Sequence, residues 1–327
     1  MTESFNPGLF FILGFDGAIP DKRFLKLIER FPPSGIIFFS SNYESPTQIK
    51  NLISRLRSIT GPKTIFAIDQ EPGRVQRLTA GFPRSKKPSE YIQQDSADEF
   101  IDWCRTTAEI LSDIGINLNL APLVDLYPSS LESPVLLDRS FGADASRVGE
   151  FAGMLIRQHK NVGILTCAKH YPGLGSAAKD PHEEISVSDE PLERFVEYHW
   201  EPFRASVEHG VDSIMTTHIL ARSLDHVNPA TYSSGIIDSL RNDIGFAGPV
   251  ISDDMIMKGA GEGAGIDQNV IRSLEIGHNL IIISKDIDFQ RLALEGVLRR
   301  YESDRDFAEL LDGHKLILEK FKKKIRL

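Results

Sequence analysis

Eight short apolar runs, most separated by an amphipathic helical pattern, limit what this chain can fold into more than any other feature. They are Leu9–Phe15, Gly35–Phe39, Thr64–Asp69, Asn117–Pro122, Ile164–His170, Ser213–His218, Val250–Asp253 and Leu280–Ser284. Continuous apolar runs of this length, rather than alternating ones, mark parallel strands covered on their outer face by helices. Eight of them predict a TIM-type (β/α)8 barrel, which at 327 residues is accommodated as one unit, 1–327, with 305–327 a terminal helix.

Helical patterns fall at Asp21–Phe31, Pro46–Ile59, Ala97–Ile114, Ser146–Lys160, Pro191–Gly210, Ser234–Asn242, Ile266–Ile276, Phe289–Arg300 and Arg305–Lys324. In the third, Phe100, Trp103, Cys104, Thr107 and Leu111 recur at spacings of three and four, the stripe of a helix lying on a sheet. No repeat or linker divides the chain. The loosest stretches, Pro83–Ser96 and Pro128–Pro134, follow strands on the side where barrel active sites form. Gly259–Gly265 (GAGEGAG) lacks both G-x-G-x-x-G and the Walker lysine, and reads as a loop after the seventh run.

The formal charge of −9 argues against a nucleic-acid partner, which needs a basic face. The basic end, Lys315 to Arg326, reads as cations at the negative end of a helix dipole. Two cysteines, Cys104 and Cys167, suit buried thiols in a reducing compartment rather than a disulfide framework. The opening MTESFNPGLFFILGF has no basic residue before its apolar run and reads as the first strand. No run approaches the roughly 18 apolar residues of a membrane span, so the expectation is a cytoplasmic protein with no membrane partner.

In a barrel of this kind catalytic groups sit at strand C-termini, where Asp69, Asp125, Lys169, His170, His218 and Asp253 collect. Burying so many ionisable groups separately would cost several kcal/mol each, so a shared polar pocket is the economical reading. The alternative, loop capping or mutual pairing, stands open for Asp125 and His218. After Lys169 and His170 the chain is broken by Pro172 and two glycines, and Asp180 and His182 follow two residues apart. In an extended segment such a pair points the same way, so the carboxylate can orient the imidazole as a general acid/base.

KHYPGLG (Lys169–Gly175) followed by DPH (Asp180–His182) resembles the K-H-[FY]-P-G-H-G-x4-D-[ST]-H signature of glycoside hydrolase family 3 β-N-acetylglucosaminidases of the NagZ type. The resemblance continues through AIDQEPGRVQRL (Ala67–Leu78), NLNLAPLVDL (Asn117–Leu126), RSFG (Arg139–Gly142), THILARSLDHVNPATYS (Thr217–Ser233) and SDDMIMKGA (Ser252–Ala260). It implies a cofactor-free, retaining exo-β-N-acetylglucosaminidase. Asp253 would be the nucleophile and His182, backed by Asp180, the acid/base. Asp69, Arg77, Arg139, Lys169 and His170 would hold the sugar.

The implied substrate is a small carbohydrate, a GlcNAc-containing muropeptide or oligosaccharide met in cell-wall peptidoglycan recycling. Choosing Asp253 over Asp254 rests on the resemblance, since neighbours on a strand point to opposite sides and only one of the pair is expected to face the mouth. For Arg77 an ion pair with Glu71 is the structural alternative. A metal centre is disfavoured, because no H-E-x-x-H or C-x-x-C spacing is present.

Departures from the signature include Leu174 for a histidine, Pro181 for Ser or Thr, Pro72 for a glycine and Ser41 for an arginine. None deletes a catalytic side chain. The competing readings are a family 3 β-glucosidase, a GlcNAc phosphorylase, and a sugar-binding regulator without turnover. Product analysis separates hydrolysis from phosphorolysis, and a chromogenic glycoside separates enzyme from regulator.

Overall fold

The structure, a computed structural model, describes residues 5–127, 133, 135–177, 186–260 and 265–326. The proposed acid/base pair Asp180 and His182 therefore lies outside the described residues, as does most of Pro128–Pro134 and of the glycine-rich stretch.

Among the described residues ten strands form: β1 (Phe11–Leu13), β2 (Gly35–Phe38), β3 (Ile65–Ile68), β4 (Leu118–Asn119), β5 (Leu165–Tyr171), β6 (Ser186–Ser188), β7 (Ser213–Thr216), β8 (Ile219–Ala221), β9 (Val250–Asp254) and β10 (Leu280–Ile283). Eight close into a parallel barrel in the order β1-β10-β9-β7-β5-β4-β3-β2, while β6 pairs with β8 outside it. Every one of the eight apolar runs supplies a barrel strand, so the expected TIM-type (β/α)8 fold is the one observed. Phe11, Ile12 and Leu13 are fully buried, as are Ile281 and Ile283 across the seam. Burial of side chains of this size stabilises by about 1.5–3 kcal/mol each, which explains the lack of polar alternation in these strands.

The helices are α1 (Lys22–Arg30), α2 (Pro46–Thr60), α3 (Pro88–Gln93), α4 (Ala97–Ile114), α5 (Ala145–Val162), α6 (Leu192–Arg194), α7 (Glu201–Glu208), α8 (Ser234–Asn242), α9 (Ile266–Glu275), α10 (Ile287–Ser303) and α11 (Arg305–Lys323). Side-chain caps fix their starts: Asp21, Ser45, Asp144, Ser233 and Asp304 each accept a backbone N–H of the first turn. Helix α4 ends where Gly115 takes φ +94° and its amide bonds back to Leu111, a conformation that a Cβ would strain. In the same helix Trp103 is core, with its indole N–H donating to the Pro83 carbonyl.

Two expectations are corrected. Pro83–Ser96 is not a plain loop, because it holds α3, which starts on Pro88 and buries only Pro88 and Tyr91. The single helix expected over Pro191–Gly210 is broken by a π turn at Phe195–His199, where the Trp200 amide reaches back to the Phe195 carbonyl. Pro202 has no N–H to bond the Tyr198 carbonyl, so regular i to i−4 pairing cannot run through this point.

Both thiols, Cys104 and Cys167, are buried and unbridged. Among the described residues, no helix is long and apolar enough to cross a membrane.

Candidate active site

A cavity of about 700 Å³ opens at the C-terminal ends of the barrel strands. Asp69, Arg77, Arg139, Lys169, His170 and Asp253 all line it. The described members of the expected site, drawn from four separate stretches of chain, therefore share one wall. The volume lies in the usual range for small-ligand pockets.

β3 delivers the first group. Beyond Ile68 the chain turns back on itself: the Gln70 side chain accepts from the Leu78 amide at 3.0 Å and donates to the Leu78 carbonyl at 2.9 Å. This folded-back turn brings Arg77 over Asp69, with Nη2 3.5 Å from Oδ2. The Arg77–Glu71 ion pair considered from sequence does not form. Glu71 is instead held by Arg139, whose Nε lies 2.9 Å from Oε2 and whose Nη2 lies 2.8 Å from Oε1. A planar guanidinium matches a carboxylate in this two-point manner, which outcompetes the single contact that Arg77 could offer.

Lys169, at the end of β5, completes the lattice. Its ammonium is 2.6 Å from Glu71 Oε1 and 2.7 Å from Asp69 Oδ1, and its side chain is almost fully buried. Burial works against the ionised form of Glu71, but Arg139 and Lys169 outweigh it and hold the carboxyl below the usual range. Asp69 follows the same logic: burial raises it, Lys169 and Arg77 more than reverse this, and the net direction is down. The ammonium of Lys169 is raised, since Asp69 and Glu71 overcome the burial that favours its neutral form. These groups keep their charges at neutral pH and present a rigid set of charged donors and acceptors to hydroxyl groups.

His170 faces the cavity with its Nδ1 2.6 Å from Asp125 Oδ2. Asp125 also accepts the backbone amides of His170 at 3.1 Å and Leu174 at 2.6 Å. A single buried carboxylate thus ties the end of β5, where the Lys169–His170 peptide is cis, to the turn that follows the cis Tyr171–Pro172 peptide. Leu174, which replaces the histidine of the signature, is buried against the cavity wall. For Asp125 the two readings left open are resolved toward loop capping combined with orientation of His170.

β9 carries the two adjacent aspartates. Asp253 Oδ1 accepts the Asp254 amide at 2.8 Å. Asp254 also lines the cavity, contrary to the expectation that only one of the pair faces the mouth. The register between β9 and β10 shifts at Leu280/Ile282, and a bulge of this kind turns a strand end out of strict alternation. The Asp254 carboxylate is nevertheless tied down, accepting the Ser284 amide at 3.1 Å and the Ile256 amide at 3.4 Å. Its pKa is pushed up to about 6 by burial and by the charge of Asp253, against the opposing bonds from Ser284.

His218 is not in the cavity wall. It is fully buried, with Nε2 donating to the Asp254 carbonyl at 3.0 Å and Nδ1 against the Thr231 hydroxyl at 2.5 Å. Among the described residues no group of three or more His, Cys, Asp or Glu is arranged to hold a metal ion. Sequence reasoning placed Glu71 only as a partner for Arg77 and missed it as the hub between Arg139 and Lys169. Its position two residues after Asp69 was the available signal, since both lie in the turn leaving β3.

A parallel eight-stranded barrel with a charged cavity at its C-terminal mouth is the arrangement in which (β/α)8 enzymes carry their active sites. The family model described as "Glycosyl hydrolase family 3 N terminal domain" matches residues 20–303. The chain belongs to glycosyl hydrolase family 3 and groups with its β-hexosaminidases.

It is 32% identical over 261 residues to a β-hexosaminidase of Nitrosomonas eutropha, covering 78% of this chain and 74% of that one. To the β-hexosaminidase of Hydrogenovibrio crunogenus it is 31% identical, covering 77% of this chain and 72% of that one. The solved family 3 β-N-acetylglucosaminidase from Paenibacillus superposes with a TM-score of 0.90 at 28% identity, covering 99% of this chain and 63% of that longer one. The β-N-acetylhexosaminidase of Beutenbergia cavernae superposes with a TM-score of 0.89 at 25% identity, with 97% of both chains covered.

Proposed function

We propose that this chain is a retaining exo-β-N-acetylglucosaminidase that removes terminal GlcNAc from β-linked glycosides, among them muropeptide fragments recycled from peptidoglycan in the cytoplasm. Residues 1–327 act as one catalytic barrel. The observation that carries the reading is the convergence of Asp253, at the end of β9, on the cavity that holds Asp69, Lys169 and Arg139. Buried unbridged thiols are in keeping with a reducing compartment.

Retention needs an ionised carboxylate below the anomeric carbon and a proton donor at the glycosidic oxygen. Asp253 attacks the anomeric carbon while the bond to the leaving oxygen breaks and that oxygen takes the His182 imidazolium proton. In the second step neutral His182 takes a proton from water, the resulting hydroxide attacks the anomeric carbon, and the ester to Asp253 breaks. Asp180 holds the imidazole tautomer through both steps. The sugar is held meanwhile by hydrogen bonds to Asp69, Arg77, Arg139, Lys169 and His170.

The test uses a chromogenic β-GlcNAc glycoside with the β-glucoside in parallel. Wild type is expected to release GlcNAc, and Asp253→Asn to lose at least about a thousandfold in kcat, as expected when an activated nucleophile is removed. A slow 5-fluoro GlcNAc analogue should label Asp253 covalently. Labelling elsewhere, or full activity in Asp253→Asn or His182→Ala, overturns the mechanism. GlcNAc-1-phosphate as the product in phosphate buffer overturns hydrolysis.

A further inference from the structure

One imidazole outside the cavity wall touches the chain on both sides of the stretch that carries Asp180 and His182. Residues 178–185 join Ala177, after the turn that follows β5, to Ser186, the first residue of β6. On the entry side Gly173 takes φ +130°, and a Cβ there would lie 2.9 Å from His199 Cβ and 3.2 Å from its Nδ1. Only a bare backbone lets the imidazole lie this close. The residues leading away are tied back onto this turn: Ser176 Oγ donates to the Gly173 carbonyl at 2.8 Å, and the Ala177 amide donates to the Leu174 carbonyl at 3.1 Å.

On the exit side His199 Nε2 lies 3.2 Å from Glu190 Oε2. Glu190 stands two residues beyond β6, which is itself held by parallel pairing with β8, and its amide donates to Ser188 Oγ at 3.4 Å. His199 and Glu190 thus bridge the turn before residues 178–185 to the chain just after them.

His199 ends the π turn at Phe195–His199 and is almost fully buried. Such turns insert an extra residue into a helix and recur at functional sites. Among the described residues Nδ1 has no hydrogen-bond partner, so the proton belongs on Nε2, where Glu190 accepts it. Burial lowers the pKa of His199 against the opposing pull of Glu190, and the imidazole is neutral at neutral pH. The other charged groups around it are Arg194, whose Nε is 3.5 Å from the same Glu190 oxygen, and Asp125. An apolar side chain would fill this space without an orphan nitrogen, so packing does not account for the imidazole.

We propose that His199 and Glu190 are positioning residues for the acid/base, fixing the two ends of residues 178–185 relative to each other so that His182 meets the glycosidic oxygen. This rests on the acid/base reading above. A strap of this kind serves proton transfer and not the nucleophile, so its loss is felt where a leaving group needs a proton and where water needs a base.

The experiment compares kcat/KM on N,N′-diacetylchitobiose, whose leaving alcohol needs a proton, with kcat/KM on 2,4-dinitrophenyl β-GlcNAc, whose phenolate does not. The proteins are wild type, His199→Ala, Glu190→Ala, Glu190→Gln and His182→Ala. His199→Ala and Glu190→Ala should lower the chitobiose value by roughly a hundredfold and the dinitrophenyl value by less than about threefold. Glu190→Gln keeps an oxygen for the imidazole N–H and should recover most of what Glu190→Ala loses. Azide attacks without a base, so in His199→Ala it should raise kcat on the dinitrophenyl glycoside several-fold and give the β-GlcNAc azide, with no rise in wild type. Equal losses on both substrates, or wild-type chitobiose hydrolysis in both alanine variants, overturn the proposal. If His182→Ala separates the two substrates and His199→Ala does not, this inference alone fails. If His182→Ala does not separate them, the acid/base reading fails and this inference with it.

Discussion

Glu71 and Lys169 meet at 2.6 Å behind the cavity wall, each almost completely out of water. Because Arg139 shares the same carboxylate, removing Glu71 strands the buried Arg139 guanidinium and leaves Lys169 with Asp69 alone. Glu71→Gln is therefore expected to destabilise the fold by roughly 3–5 kcal/mol, as for a broken buried pair. Urea unfolding at neutral pH checks it. The sign with pH follows from the lowered carboxyls: Glu71 and Asp69 contribute stability above their unfolded pKa values and lose it only as pH falls through their lower folded ones. Acid unfolding of wild type should thus begin below about pH 4, the range where ordinary carboxyls titrate.

Asp125 makes the opposite kind of contact, a carboxylate serving three donors on one turn. Asp125→Ala should cost roughly 3 kcal/mol, because buried amides are left without an acceptor. It should also raise KM for a β-GlcNAc glycoside, since Lys169 and His170 lie at the strand end that Asp125 holds. Denaturation curves and steady-state kinetics on the same preparation report both.

Asp254 gives a pH dependence of reversed sign. Its pKa is raised to about 6, so its contribution to stability is present below the unfolded carboxyl range and is lost as pH rises through 6. Asp254→Asn keeps an oxygen acceptor for the Ser284 amide and removes the titration. Between pH 4 and 7 the variant's unfolding free energy is expected to gain on wild type with rising pH, at a slope bounded by about 1.4 kcal/mol per pH unit. Chemical denaturation across that range reads the difference.

Gly175 lies where the turn after β5 presses on the chain leaving β4. An added Cβ would fall 1.7 Å from the Leu126 carbonyl oxygen, a backbone atom with no rotamer to yield. Gly175→Ala should force that turn away, lower Tm by several degrees and reduce kcat/KM, with a cost of roughly 1–3 kcal/mol typical of overpacking. A thermal melt and a chromogenic assay check it.

Much of this was legible in the chain, for an identifiable reason. A strand buried on both faces must be apolar throughout, so Gly35–Phe38, Ile65–Ile68 and Leu280–Ile283 announce themselves. Polar residues placed just beyond such runs have few places to go except the mouth of a barrel, which is how Asp69, Lys169 and Asp253 were found. What stayed hidden depends on long-range pairing. Glu71 looks like any surface acid until Arg139 and Lys169 arrive from elsewhere in the chain, and the shared exposure of Asp253 and Asp254 follows from a register shift that only β10 imposes. The short helix on Pro88 has too few apolar positions to show a period. The π turn reflects a missing donor at Pro202, which marks a break without specifying its form.

The barrel is sealed by its first and last strands, Phe11–Leu13 against Ile281–Ile283, and Gln290 staples that seam by donating to the Gly14 and Ile283 carbonyls. A ribosome making this protein releases Asp69 long before Asp253, Lys285 or Gln290 exist. Until β10 is made, the nascent chain can pair each strand with the one before it but leaves one edge of β1 open, exposed to chaperones and to wrong partners. The ability to hold a sugar would then be acquired late in synthesis.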